Sequence, residues 1–322
     1  MRLRHYLAFF FALWVFGPGM AVAQDYPTKV VRLVVPYPPG GVVDITGRLL
    51  AQELSRELGG TVIVENKPGA GGTIGAEHVA RAAPDGYTVL LSGAATHAFA
   101  PWLYKSLRYD PVKDFTAVTR VTEGPLVLVV NSASPIKSLD EFLKNLKAKG
   151  DAVTYSSNGN GTYPHLSVEL LSQAIGAKPL HVPYQGGGQA ITALIGNEVQ
   201  FSQNHIPIVL PHVKSGRLRV LATTGDARSA TYPDVPTLKE SGIDVSAAAW
   251  FGLFLPAGAP PAIVERLYQA TAAATKSPAL REKLAAQGDA VVVDGPAKFK
   301  AFQAAEREKW KKVSAGAGRT LK

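Results

Sequence analysis

The chain has 322 residues, 46% of them hydrophobic and 18% charged, which is enough apolar material for two core-bearing units and excludes a disordered chain. The formal net charge is +9 and there is no cysteine. Disulfides, thiol catalysis and a lipid-bearing cysteine anchor are therefore excluded, while the basic balance favours anionic ligands.

Residues 1–23 have the pattern of an export signal. Arg2, Arg4 and His5 precede an apolar run over 6–16, a Gly17-Pro18-Gly19 break, and Ala21-Val22-Ala23 just before Gln24. The run is short for a membrane span, and no other stretch is long and apolar enough to be one. Cleavage after Ala23 removes Arg2 and Arg4, takes the charge from +9 to +7, and leaves an exported, soluble chain expected in a bacterial periplasm. No basic patch is interleaved with aromatics, which together with export argues against nucleic acid.

Residues 30–35 (VVRLVV) predict a buried strand, 37–48 (YPPGGVVDITGR) a Pro-Gly loop and 49–58 (LLAQELSREL) an amphipathic helix. A strand, a glycine loop and a helix start gather backbone N–H groups at the positive end of a helix dipole. That arrangement holds a carboxylate or phosphate without a charged side chain. A plain strand-to-helix turn has the same pattern, so the functional reading depends on recurrence. A strand at 61–65 leads into the glycine loop 66–75 (NKPGAGGTIG) and a helix at 76–83. A strand at 87–91 ends in the polar segment 92–97 (SGAATH). This alternation predicts a parallel sheet covered by helices on both faces, with the loops 37–44, 66–73 and 92–97 on its ligand-binding carboxyl edge.

Residues 109–115 are turn-like, and 126–130 (LVLVV) starts a second α/β unit. Ser138, three residues before Glu141, fits a helix N-cap with a capping box. The device then recurs twice. A strand at 153–156 is followed by the loop SNGNGTYP and a helix at 165–175, and a strand at 180–184 by the loop QGGGQ and a helix to about 194. Strands at 197–202, 219–223, 250–255 and 290–293 alternate with helices at 209–215, within 233–242, from Pro260-Pro261 to 275, just beyond it, and at 296–313. The mixed charges of the last helix, Glu306, Arg307, Glu308, Lys309, Lys311 and Lys312, read as a solvated face.

The glycine loops fail as nucleotide motifs, because GAGGTIG puts Ile74, and GGGQAI puts Ile191, where GxGxxG needs its third glycine. No GK[ST], no HExxH spacing and no GxSxG elbow occurs. Neither a metal nor a cofactor is expected. His97 and His165 fall in the polar loops, where they would donate to an anion or serve as surface or capping histidines.

From about Tyr26 to the C-terminus the chain resembles the Bug-type substrate-binding proteins of tripartite tricarboxylate transporters. The resemblance is carried by YPTKVVRLVVPYPPGGVVDITGR, VENKPGAGGTIGAEHVARAAPDGYTVL, LYKSLRYDPVKDF, YSSNGNGTYPHL, VPYQGGGQA, PHVKSGRLRVLATT, PDVPTLKESG and WFGLFLPAGAP, in that order. It implies a two-lobed, type II-like periplasmic-binding-protein fold, each lobe a mixed, mostly parallel sheet flanked by helices. Residues 24–122 and 251–322 would form one lobe and 123–250 the other. A small organic acid would be trapped in the cleft by hinge closure.

By position, the resemblance implies that Tyr37, Pro39, Gly40, Gly41 and Asp44 form the first binding loop, with Asp44 as a cap or water holder. Thr96 and His97 would line the next strand end. Asn158, Gly159, Gly161 and Thr162 would form a lobe-2 anion nest, and Tyr184, Gln185 and Gly187 the other lobe-2 loop. Gln203 stands where the family often has Asp, and Ala100-Pro101 where it often has Asn-Pro. The expected function is a monomeric periplasmic solute-binding protein, not an enzyme. It would deliver a mono- or dicarboxylate to the membrane components of a transporter. A sensory binding protein and an exported hydrolase on the same scaffold are the alternatives.

Overall fold

The structure, a computed structural model, describes residues 26–317. The leader expected over 1–23 lies outside the described residues. In chain order the first lobe begins with β1 (Val31–Val35), α1 (Val42–Leu58), β2 (Val62–Asn66), α2 (Thr73–Ala80) and β3 (Thr88–Gly93). β1 is flanked in parallel by β2 and β3. Only Arg32 of β1 is exposed, as a strand covered on both faces requires. α1 buries Val43, Gly47, Leu50, Leu54 and Leu58 at helical spacing and stops at Gly59 in the left-handed region (φ 70°).

A π-helical turn, Ala95–Phe99, and the short α3 (Ala100–Leu103) lead to β4 (Phe115–Asn131), a strand of 17 residues. The second lobe follows with α4 (Leu139–Lys149), β5 (Thr154–Ser157), α5 (Tyr163–Ile175), β6 (Leu180–Pro183), α6 (Gly187–Ile195), β7 (Phe201–His205), α7 (Ile206–Lys214) and β8 (Leu218–Thr223). The chain returns through β9 (Ala248–Pro256), and α8 (Pro261–Ala274), α9 (Pro278–Ala286), β10 (Ala290–Val291) and α10 (Pro296–Ala317) complete it.

β4 joins the lobes. As far as Pro125 it pairs antiparallel with β9, and from Leu126 on it pairs with β7 and β8. The strand order is β2-β1-β3-β9-β4-β7-β5-β6, with β8 and β10 also on β4. The sheet is thus parallel on its two flanks and antiparallel in the middle, where the crossing strands run, rather than mostly parallel throughout. Each lobe has an apolar layer on both faces of its sheet. Parallel pairing puts the carboxyl ends of β1, β2 and β3 on one edge of the first lobe, and those of β5, β6 and β7 on one edge of the second.

Several elements differ from the sequence reading. Residues 109–114 are turns, as expected, but the strand after them runs over Phe115–Asn131 where a five-residue strand at 126–130 was expected, because the bulged register with β9 carries the pairing across Ala117 to Thr122. β7 starts at Phe201, since Asn197 takes a left-handed turn (φ 59°) that ends the preceding helix. Ser138 does cap α4, and Glu141 reaches back to the N–H of Lys137 (2.6 Å). The last helix is not simply a solvated face. Glu306 is buried and its Oε2 accepts from both Trp250 Nε1 and Trp310 Nε1 at 2.9 Å.

Candidate functional site

The first loop, 37–41, leaves β1 and starts α1 at Gly41. Gly40 holds a φ of 80°, a conformation that L side chains resist. Asp44, in the first turn of α1, fixes this loop. Its Oδ2 accepts from Gly40 N (2.9 Å) and Arg48 Nε (3.0 Å), and its Oδ1 accepts from Asn66 Nδ2 (2.9 Å). Asn66, at the end of β2, also donates to Tyr37 O (3.1 Å). Burial pushes the Asp44 carboxyl up, but Arg48, the Gly40 N–H and Asn66 outweigh it and hold the group below its ordinary range.

At the end of β3, Gly93 lies so close to the Trp250 carbonyl of β9 that a Cβ would collide with it. The chain then turns through Ala94 and Ala95. Thr96 and His97 face inward and are fully buried. His97 stacks on Phe254 (3.7 Å between ring centroids) and bonds Thr96 Oγ1 through Nδ1 (2.8 Å). These two residues pack the first lobe and do not line its binding edge.

In the second lobe the 158–162 loop folds on itself. Thr162 Oγ1 donates to Gly159 O (2.7 Å), and Gly161 N donates to His165 Nδ1 (3.1 Å). Gly159 (φ 122°) and Gly161 (φ 73°) supply its left-handed turns. Asn158 exchanges amide hydrogen bonds with Asn204 of β7 (2.8 and 3.3 Å). Gln203, the next residue back on β7, points to the opposite face, where its Oε1 accepts from Ser167 Oγ of α5. Strand alternation thus puts Asn204 toward the loops and Gln203 into the core.

These loops enclose a cavity of about 140 Å³ between the lobes. Its first-lobe wall includes Tyr37, Pro38, Gly41, Val42, Ala94 and Ala95, and its second-lobe wall Asn158, Thr162, Gln185, Gly187 and His205. Trp250 and Phe251 of β9 also contribute. An engineered apolar cavity of about this size accepts a benzene ring. A wider vestibule of about 630 Å³ adjoins it, sharing Tyr37, Pro38, Asn158, Thr162 and Gln185 and adding Gly159 and Tyr184. No Asp, Glu, Lys or Arg lines the cavity among the described residues.

Four helices begin at the cavity wall: α1 at Gly41, α5 at Thr162, α6 at Gly186 and α7 at His205. None of these N-cap residues makes a side-chain capping bond. Elsewhere Ser138 caps α4 and Ser277 caps α9, while α2 and α8, which start away from this cavity, also lack a side-chain cap. First-turn N–H groups have no acceptor within their own helix, so the four starts bring positive dipole ends to one space, with fewer donors at α5 and α7, where Pro164 and Pro207 carry no N–H. The arrangement suits an anion that needs no salt bridge. Tyr37 adds a phenol that burial pushes up to about 12, so it stays a neutral donor.

Of the residues expected at the site, Tyr37, Gly41, Asn158, Thr162, Gln185 and Gly187 meet at the cavity, and Gly159 and Tyr184 at the vestibule. Gly40, Asp44 and Gly161 shape these loops by their backbone turns and hydrogen bonds without lining either space, and the exposed Pro39 lines neither. Thr96, His97 and Gln203 are in the core. The sequence reading put the 92–97 segment on the binding edge but singled out Thr96 and His97 rather than Ala94 and Ala95, and it missed His205, Trp250 and Phe251. His205 had a signal, since it closes the polar run Gln203-Asn204 just before Ile206-Pro207 starts a helix. No group of His, Asp or Glu among the described residues is arranged to hold a metal ion.

Residues 46–318 match the family described as the tripartite tricarboxylate transporter family receptor. The chain belongs to that family. It is 38% identical over 302 residues to BugT of Bordetella pertussis, covering 93% of each chain. Its structure is similar to that of the periplasmic binding protein BugD, with 32% identity, a TM-score of 0.84, and coverage of 92% of this chain and 100% of that one. It is also similar to MatC of Rhodopseudomonas palustris, whose structure holds bound malate, with 33% identity, a TM-score of 0.83, and coverage of 90% and 100%. These are binding receptors rather than enzymes, and the two-lobed periplasmic-binding-protein fold is common to them.

Proposed function

We propose that this protein captures a small organic acid, a mono- or dicarboxylate, in the cavity between its lobes and delivers it to the membrane components of a tripartite tricarboxylate transporter. The observation that carries this reading is the convergence of four uncapped helix starts, from both lobes, on a cavity with no acidic side chain. Family membership and the malate bound by MatC support it. The acid is held by backbone donors of the 37–41 and 94–95 segments on one side, and by Asn158, Thr162, Gln185 and Gly187 on the other. The lobes comprise 24–122 with 251–322, and 123–250. The change of partner on β4 at Pro125 and the start of β9 at Ala248 support limits within about three residues of these. The protein works as a periplasmic monomer, its leader removed after Ala23. No helix among the described residues is long and apolar enough to cross a membrane.

The test is a thermal-shift screen of protein expressed from the full-length sequence and recovered from a bacterial periplasm. An intact mass that starts at Gln24 checks the cleavage. A ligand at about one hundred times its Kd stabilises by about 2.7 kcal/mol, a shift of several degrees. A shift with one class of carboxylic acids, abolished in Thr162→Val, is expected. A flat response to every acid, in folded protein freed of carried-over ligand, overturns the reading.

A further inference from the structure

Among the described residues, His205 is the one on the cavity wall whose side chain has a cationic form. The other titratable groups there, Tyr37 and Tyr163, are phenols that burial keeps neutral. The His205 ring makes no hydrogen bond among the described residues. Only its backbone N–H is engaged, donating to Asn204 Oδ1 at 2.9 Å. Phe251 of β9 faces the ring at 6.4 Å between centroids, and the apolar Leu126 of β4 pairs opposite it. On the β10 side, Gly288 abuts Ile206, and the buried Asp289 carboxyl stands against Gly124. Burial alone pulls the imidazole down to about 4, so the ring is neutral near pH 7. A neutral ring with an open nitrogen lone pair is a poor wall for an anion, whereas a protonated ring donates at both nitrogens.

We propose that His205 takes up a proton as an acid ligand enters the cavity, so that binding here carries one proton and favours acids that place an anionic oxygen against the second lobe. This rests on the carboxylate reading above. The proton comes from solvent and goes to the open imidazole nitrogen. An opposite charge within about 4–6 Å favours the protonated form, so an anion against the ring raises the imidazole from about 4 toward its ordinary range. His205 is then the residue that sets specificity between acids with one and two anionic ends.

The test is isothermal titration of the purified protein with malate, succinate, adipate and benzoate. Two buffers of different ionisation heat are used at pH 5.5, 6.5 and 8, with the His205→Asn variant run alongside. Asn is a favoured N-cap residue, so the start of α7 is preserved, and His205→Gln serves if the Asn variant does not fold. The expected result is proton uptake approaching one per ligand at pH 5.5 and fading by pH 8, with most of it absent from the variant. Ionisation of the acid itself is common to both proteins and cancels. The affinity ratio of wild type to variant is expected to fall about fivefold to tenfold from pH 5.5 to 8. Asp289→Asn, run as a control, is expected to leave the uptake unchanged. Tight binding with equal uptake in wild type and variant, or with none in either, overturns the inference alone. An absence of binding by every acid overturns the carboxylate reading, and this inference with it.

Discussion

Leu126 and Thr224 are hydrogen-bonded to each other in both directions where the chain crosses between the lobes. Leu126 N donates to Thr224 Oγ1 (2.9 Å) and Thr224 N donates to Leu126 O (3.0 Å). Thr224 also ties in the return crossing, since Ala247 N donates to Thr224 O (2.7 Å) and the Thr224 hydroxyl donates to Ala247 O. One buried side chain therefore links the two segments about which the lobes must turn. Thr224→Val keeps the shape but leaves the Leu126 N–H and the Ala247 carbonyl short of a partner. The expected cost is about 1–3 kcal/mol, read as a lower melting temperature. Thr224→Ser, which keeps the hydroxyl, is expected to recover most of it. Equal losses in both variants would show that the methyl group, not the hydroxyl, matters here.

The crossing strands also show why part of this fold was legible in the sequence and part was not. β1 and β3 end in glycine-bearing loops, so local pattern located them. β4 has no such punctuation. Its strand character over 115–125 comes from pairing with β9, about 130 residues away in the chain and invisible to a local reading. The same holds at the cavity. Gly41, Thr162 and Gly187 lie in the loops that local pattern marked, while Trp250 and Phe251 reach the cavity only because β9 returns between the lobes. Gln203 was placed from its position along a strand end, where one step along the chain reverses the face that a side chain presents, whereas Thr96 and His97 fall in the π-helical turn Ala95–Phe99, which buries both and which local pattern did not mark.

His97 supplies a sharp test of that placement in the core. Its ring lies between Phe254 and Phe115, and burial, then the charge of Arg307, depresses it to about 3. His97→Phe suits this aromatic environment and is expected to leave the acid-induced thermal shift unchanged. In the wild type, below about 6.5 the unfolded chain takes up a proton on this histidine that the folded chain does not. Stability is therefore lost as the pH falls, by up to about 1.4 kcal/mol per pH unit from this group. The variant lacks that loss, so its melting temperature relative to wild type is expected to rise from pH 7 to pH 5. A variant that folds but no longer responds to acids would return His97 to the binding site.

Asp44 titrates with the opposite consequence. Its depressed carboxyl contributes stability that is present above the ordinary carboxylate range and lost as the pH falls through the folded value. Asp44→Asn keeps one oxygen for Gly40 N and Arg48 Nε but puts an amide where Arg48 Nη2 and Asn66 Nδ2 need the other. The expected cost at pH 7 is about 1–3 kcal/mol, narrowing toward pH 3, together with weaker ligand binding because the 37–41 loop loosens. Undiminished binding would separate the loop geometry from this clamp.

Asp289 is the carboxylate whose removal is expected to strengthen the fold. It is buried beside Gly124, its Oδ2 has no hydrogen-bond partner among the described residues, and burial raises it from 3.8 to about 7. Between those values the folded chain holds a proton that the unfolded chain has released, so stability falls as the pH rises from about 4 to about 7 and is level above that. The full penalty is on the order of 4 kcal/mol, at 1.36 kcal/mol per pH unit. Asp289→Asn is nearly isosteric and carries no charge to bury. It is expected to raise the melting temperature at pH 8, where the wild type bears the whole penalty, and to raise it much less at pH 5, where the wild-type group is largely protonated. A gain of the same size at both pH values would mean that the carboxyl is hydrated in solution and that burial of its charge does not limit stability at this crossing.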